Sequence, residues 1–340
     1  MPLLKAVLIG AGHIADSNHI PALKQLSDRV DVVAVCSRDL IKARALADKH
    51  GIPSAFDNTT DMYRQCAPDL VVICTPNNLH FPQAMEAMEH GCHVFCEKPP
   101  AISAQNARDM ANLAAQKGLT LAYNFQLRQT SEWSLLTRCQ TDGLMGDIYH
   151  IKAHFLRRRG IPGWGYFTDK SMQGGGALMD LGVHVLDLAL CALGYPVPDQ
   201  VVGSTYDFIG RAGGKGLMGT WDPATFGVED AAMAYLTFPD KTSIMLSASF
   251  ALNTQADIDR NLEIFGRKGG ANLFPFALHT ELAGELADVH FPYLEEVDIQ
   301  LKNTAAFLDA CAGKPSNVCT AEQGAILQEV VERIYQSAAS

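Results

Sequence analysis

The chain has 340 residues, with 27 Lys and Arg against 37 Asp and Glu for a net charge of −10, and 48% of its residues are hydrophobic. That length predicts two domains at about 150 residues each and a core that needs no disulfide staples. The ordinary composition excludes disordered and fibrous classes, the acidic balance argues against a binder of nucleic-acid phosphates, and no uncharged apolar run reaches the ~18 residues of a membrane span.

In chain order, apolar runs at 5–9, 30–36, 70–74, 93–96 and 120–124 alternate with amphipathic stretches at 13–26, 39–50, 79–90 and 103–117. Continuous β-branched runs alternating with helical patterns predict an α/β, doubly wound parallel sheet of the Rossmann kind over residues 1–124. Ser103 is the expected N-cap of the last of these helices. From about 145 the strands follow one another, at 148–157, 200–208, 231–238, 243–251 and 262–265, with turn signals at 239–241 and 267–270. Residues 125–340 therefore read as an α+β domain with a mainly antiparallel sheet. One helix at 176–193 interrupts it, and a C-terminal helix at 321–337 is placed to return to the first domain. The most apolar stretch, 177–193, carries Asp180, His184 and Asp187, which argues for a core helix over a membrane span. The first residues lack a signal-peptide cleavage site. The nine cysteines include no C-x-x-C pair and sit mostly in apolar strings, so they are expected as free thiols in a reducing cytoplasm, with no metal site.

The first strand runs into Gly10-Ala11-Gly12-His13-Ile14-Ala15, a G-x-G-x-x-A turn between strand and helix. Gly10 allows the tight turn, Gly12 allows backbone to approach a pyrophosphate, and Ala15 lets helix and strand pack closely. Gly10, Gly12, His13 and Ile14 are thus the phosphate-side candidates, served by free N–H groups at the helix start. The second strand ends in Cys36-Ser37-Arg38-Asp39. An NAD binder usually places an acid here, whereas Ser37 and Arg38 suit a 2′-phosphate, which favours NADP over NAD.

The fifth strand ends in Glu97-Lys98-Pro99-Pro100, with Lys98 beyond a strand's carboxyl end, where α/β sheets bind ligands. Further on, Gly174-Gly175-Gly176 opens the helix carrying Asp180 and His184, an i, i+4 pair that can touch. An imidazole beside a carboxylate is a proton carrier near neutral pH, although a capped helix with a core histidine fits the same string.

Taken together with His19-Ile20-Pro21-Ala22-Leu23 and Thr75-Pro76-Asn77 followed by His80, these motifs resemble the glucose–fructose oxidoreductase/inositol dehydrogenase/rhizopine-catabolism (Gfo/Idh/MocA) family over nearly the whole chain. The middle looks most like bacterial D-glucoside 3-dehydrogenases, on Arg157-Arg158-Arg159-Gly160-Ile161-Pro162-Gly163-Trp164-Gly165 and Trp221-Asp222-Pro223-Ala224-Thr225. That group tends to carry an acid where this chain has Ser37, and it is expected to use NAD.

The resemblance implies a Rossmann domain, a second domain whose open sheet makes homodimers or homotetramers, and oxidation of a secondary hydroxyl on a sugar, glycoside or cyclitol. It implies that Lys98 and His184 are the catalytic pair and Asp180 the substrate-orienting acid. It also implies that Thr75, Pro76, Asn77 and His80 form the loop under the nicotinamide ribose and that Glu97 contacts cofactor. Asn124 and Gln126, after the sixth strand, are expected to line the pocket. Trp164 is a candidate stacking platform for a sugar, or else an anchor for its loop. His184 is expected to accept the hydroxyl proton while Lys98 polarises the same oxygen, with the two roles open to exchange. Inositol or aldose oxidation, and a sensor that binds cofactor without turnover, are the alternatives.

Overall fold

The computed structural model describes residues 3–340, which form two compact units: the chain up to Gln129 with Asp298–Ala325, and Thr130–Val297 with Ile326–Ser340. The break falls five residues past the expected 124/125 boundary, and the segment 298–325 belongs to the first unit. Its helix Ile299–Cys311 carries Phe307 and Leu308 into that unit's core, where Phe307 stacks on Phe95 at 4.7 Å between ring centres.

The first unit holds strands β1 (Leu4–Ile9), β2 (Val30–Cys36), β3 (Ser54–Phe56), β4 (Leu70–Ile73), β5 (His93–Cys96) and β6 (Leu121–Tyr123). Their order is 3-2-1-4-5-6, all parallel, with the Cys319–Thr320 strand antiparallel to β6 at the edge. This is the doubly wound arrangement, and the strand order reverses between β1 and β4. Val, Ile and Leu fill both faces of the central strands, and nearly all are fully buried. Ser103 caps helix Ala104–Lys117 by accepting the Asn106 amide, as its place in the sequence suggests.

The second unit holds β7 (Ile148–Arg157), β8 (Gln200–Tyr206), β9 (Ala231–Thr237), β10 (Ser243–Ser249), β11 (Ile258–Gly266), β12 (Gly269–Asn272), β13 (Ala277–Leu282) and β14 (Glu285–His290). They form one open sheet in the order 14-13-12-11-7-10-9-8, antiparallel except for the parallel pair β7 and β10. The last three strands are additions to the sequence reading, and Gly269-Gly270, read as a turn, lies inside β12. Helix Val183–Ala192 packs against β7, β10 and β11. The opposite face leaves Val202, Tyr235 and Met245 exposed side by side in register. The segment Lys170–Ala192 is long and apolar enough by composition to cross a bilayer, but 83% of its most apolar window is buried as protein core.

Candidate active site

In the first unit the candidate residues lie at the point where strand order reverses. Gly10 follows β1 with φ +108°, and a Cβ there would lie 2.6 Å from the Cys74 carbonyl oxygen after β4. Both the conformation and the close strand approach therefore demand glycine. Nothing lies within 4 Å of the place a Gly12 Cβ would take, and Gly12, His13 and Ile14 are all exposed. Beyond them the chain is helical, with Ala15 fully buried. An open backbone turn at a helix start fits the pyrophosphate of a dinucleotide.

At the end of β2, Ser37 is half-buried and its N–H donates to the Phe56 carbonyl at 3.0 Å. Arg38 is exposed. The next acid, Asp39, caps helix Leu40–His50 by accepting the amides of Ile41 and Lys42 at 3.1 and 3.2 Å. Its carboxylate is therefore engaged with the chain's own helix.

Under the ends of β5 and β6 lies a buried polar network. The helix after the glycine turn is interrupted by a π turn, Ala15–His19, at whose end His19 is fully buried. His19 Nε2 sits 2.7 Å from Glu97 Oε1. Asn124 Nδ2 donates to the same oxygen at 2.8 Å, and the Lys98 amide donates to Glu97 Oε2 at 3.3 Å. Burial opposes charge on His19, but Cys74 and Glu97 outweigh it and push its pKa up to about 10. Burial also works against the Glu97 carboxylate, yet His19, Lys98 and Asn124 hold its pKa down at about 2. Burial pushes the Cys74 thiol up, while His19 beside it pulls the other way.

This network revises two expectations. Glu97, expected on the cofactor, is paired with His19. Asn124, expected on the substrate, is 1% exposed and bonded to Glu97, Gln300 and Asn303. His80 is revised in the same way. It is fully buried, with Nδ1 2.9 Å from the Pro99 carbonyl and Nε2 2.9 Å from the Thr75 carbonyl. It thus ties the loop after β4 to the turn after β5, and burial lowers its pKa. Around it, the Thr75 hydroxyl donates to Gln83, Pro76 leads into the short helix Asn77–Leu79, and Asn77 is half-buried. Lys98 is half-buried beyond β5, before the buried Pro99 and Pro100. Gln126 keeps its Oε1 buried without a hydrogen-bond partner, as an acceptor lining a pocket would be.

The second unit contributes one helical segment. Its start is a second π turn, Leu178–Gly182, followed by helix Val183–Ala192. Across residues 175–190 every residue is buried except Asp180 and His184, which are half-buried. Asp187, the third polar residue of this stretch, is fully buried and takes a hydrogen bond from the Tyr195 hydroxyl. The turn inserts an extra residue into the helical repeat, so an ideal 100° wheel does not carry through it.

The leading glycines answer to protein contacts. A Cβ on Gly176 would lie 2.0 Å from the Glu229 carbonyl oxygen, and one on Gly175 would lie 2.0 Å from the Tyr335 hydroxyl. The Glu229 carboxylate caps the segment, accepting the amides of Gly176 and Leu178 at 2.8 and 3.0 Å and the Tyr335 hydroxyl at 2.8 Å. Burial raises its pKa against those bonds. Trp164 is 54% exposed and edge-on to Phe167 at 6.3 Å, so it is no buried anchor. Sequence reasoning missed the roles of His19, Glu229 and Tyr335. His19 alone stood in a quoted motif, and the other two come together only through the fold.

The model of an oxidoreductase family with an NAD-binding Rossmann fold matches residues 4–125, and that of the Gfo/Idh/MocA C-terminal domain matches residues 135–272. D-glucoside 3-dehydrogenase of Escherichia coli (strain K12) is 40% identical over 335 residues, covering 98% of this chain and 95% of that protein. Two solved structures share the fold. Levoglucosan dehydrogenase in complex with NADH and levoglucosan has a TM-score of 0.85 at 20% identity, over 99% of this chain and 97% of that one. The aldose–aldose oxidoreductase of Caulobacter crescentus has a TM-score of 0.80 at 23% identity, over 99% and 98%. With both halves matched in order and a 40% identical relative spanning its length, the chain belongs to the Gfo/Idh/MocA family of oxidoreductases with an NAD-binding Rossmann fold.

Proposed function

We propose that this enzyme oxidises a secondary ring hydroxyl of a sugar glycoside, the 3-hydroxyl first among them, with a nicotinamide dinucleotide and with NADP ahead of NAD. The observation that carries the reading is that Asp180 and His184 alone reach the surface from an otherwise buried helical segment, in a chain whose other unit holds the open glycine turn and Lys98. Two groups kept accessible amid so much buried apolar surface fit a reacting site better than a packing role. When bound, the oxidised nicotinamide supplies the hydride acceptor. His184 takes the proton of the reacting hydroxyl, Lys98 lends positive charge to its oxygen, and Asp180 orients the sugar. General acid–base help of this kind contributes about 10²–10⁴ in rate. Trp164 offers a face for stacking a sugar ring.

The preference for NADP is supported by exposed Arg38 at the end of β2 and by the engagement of Asp39 as a helix cap. The 3-position is supported by the 40% likeness to D-glucoside 3-dehydrogenase. The exposed face of the second sheet suits self-association, with Val202, Tyr235 and Met245 on its β8–β10 side.

The test follows absorbance of the reduced nicotinamide while a panel of glucosides, disaccharides, inositols and free aldoses is offered with each cofactor. Turnover of glucosides to 3-keto products, with a lower KM for NADP, is expected. Turnover of inositols alone, or a clear preference for NAD, contradicts the corresponding part.

A further inference from the structure

β7 ends in three arginines, and they do different things. Arg158 is exposed. Arg159 is tied to the backbone, donating to the Arg158 carbonyl at 2.8 Å and the Leu252 carbonyl at 3.2 Å, and also to the Asn253 side chain. Arg157 folds back over Gly160. A Cβ on Gly160 would sit 2.5 Å from Arg157 Cδ, so the glycine makes the room that this side chain occupies.

The Arg157 guanidinium lies 5.7 Å from the centre of the Phe155 ring, and its Nη1 is 3.3 Å from the Gly160 carbonyl. Its Nε–H is buried and meets no acceptor. A buried guanidinium donor left without an acceptor is unfavourable, so the arrangement calls for a partner. The π turn that carries Asp180 packs against β7 and β10, and the Asp180 carboxylate is the charge that acts on Arg157.

We propose that Arg157 and Asp180 together recognise one hydroxyl of a neutral polyol, next to the hydroxyl being oxidised. Arg157 Nε–H donates to its oxygen, and the Asp180 carboxylate accepts its proton. This rests on the reading given under Proposed function and adds to it the substrate class. A hydroxyl is donor and acceptor on one atom, which is what a guanidinium beside a carboxylate asks for. An ammonium in place of that hydroxyl, as in an amino sugar, would satisfy Asp180 but face Arg157. The pair therefore admits a neutral hydroxyl at that position and rejects an ammonium there.

The experiment uses the enzyme loaded with oxidised cofactor. Binding of methyl β-glucoside, its monodeoxy analogues and the corresponding monoamino analogues is measured by calorimetry. Turnover is measured in parallel. One monodeoxy analogue is expected to bind roughly ten- to a hundredfold more weakly than the parent, the worth of one charge-assisted hydrogen bond. Arg157→Met is expected to erase that difference by weakening the parent to the level of the analogue. Arg157→Lys, which keeps the charge but not the Nε–H, should do the same and guards against a misfolded Met variant.

A deoxy penalty that survives either substitution overturns the proposal, and so does binding of the amino analogue at that same position as tight as that of the glucoside. A chain that binds the glucoside but does not oxidise it defeats the function reading alone. A chain that binds none of these sugars defeats both.

Discussion

Two helices in this chain are broken by a π turn near their start, Ala15–His19 in the first unit and Leu178–Gly182 in the second. The same device has opposite outcomes. The first π turn ends in His19, fully buried against a carboxylate, in a network that carries the strand ends above it. The second leaves Asp180 and His184 half-buried while everything around them is closed. A π turn changes which side chains share a face, and it can bury a polar group or expose one according to what packs beside it. In the first unit, helix Ile299–Cys311 supplies Gln300 and Asn303 to close the network from behind. In the second, Glu229 ties down the helix start.

The comparison is broken most severely at the buried pair. Glu97→Gln leaves a cationic His19 without its anion, and such a loss costs about 3–5 kcal/mol. Glu97 has a depressed pKa, so its contribution is present above the ordinary 4.5 and fades as pH falls toward about 2. His19 has a raised pKa, so its contribution is present below 6.5 and fades as pH rises toward about 10. The penalty should therefore be greatest between about pH 4.5 and 6.5 and should shrink toward pH 10, as read by urea unfolding across that range. A penalty independent of pH would mean that the pair is not ionic.

The second π turn is tested at Gly176. An added methyl would meet the Glu229 carbonyl oxygen at 2.0 Å and the Val228 side chain at 2.9 Å, and the backbone oxygen leaves little to yield. Gly176→Ala should cost about 1–3 kcal/mol and lower turnover as the helix start shifts, read by denaturation midpoints and initial rates. Unchanged stability would show that the contact is slack.

The smallest effect on stability is expected at Gly12, where an added Cβ meets nothing within 4 Å. Gly12→Ala should move stability by less than about 0.5 kcal/mol while raising the KM for cofactor. Gly10→Ala, strained in φ and only 2.6 Å from the Cys74 carbonyl, should instead unfold more readily. Equal behaviour of the two variants would remove the distinction between a glycine that packs and one that makes way for a ligand.

Much of this was legible in the sequence, for physical reasons. The central strands are continuous apolar runs buried on both faces, and β2 and β5 lie where those runs do. The glycine turn was legible because its spacing encodes backbone geometry. Neither π turn was, since each lies near a helix start, where the stretch before the one-residue phase shift is too short to show a period of its own. β3 is three residues long, and β12 to β14 are short strands with many half-exposed positions, too polar to stand out. The contacts of the motif residues were less legible than the motifs. Glu97, Asn124 and His80 look inward to partners up to 179 residues away, which only the fold brings near.

The central proposal is that Lys98 and His184 serve one hydride transfer. Its most direct test is single-turnover reduction of bound cofactor by a glucoside in Lys98→Met and His184→Ala, with cofactor affinity measured alongside. Each variant is expected to bind cofactor normally and to transfer hydride about 10²–10⁴ times more slowly. Transfer at the unmodified rate in either variant would contradict the account.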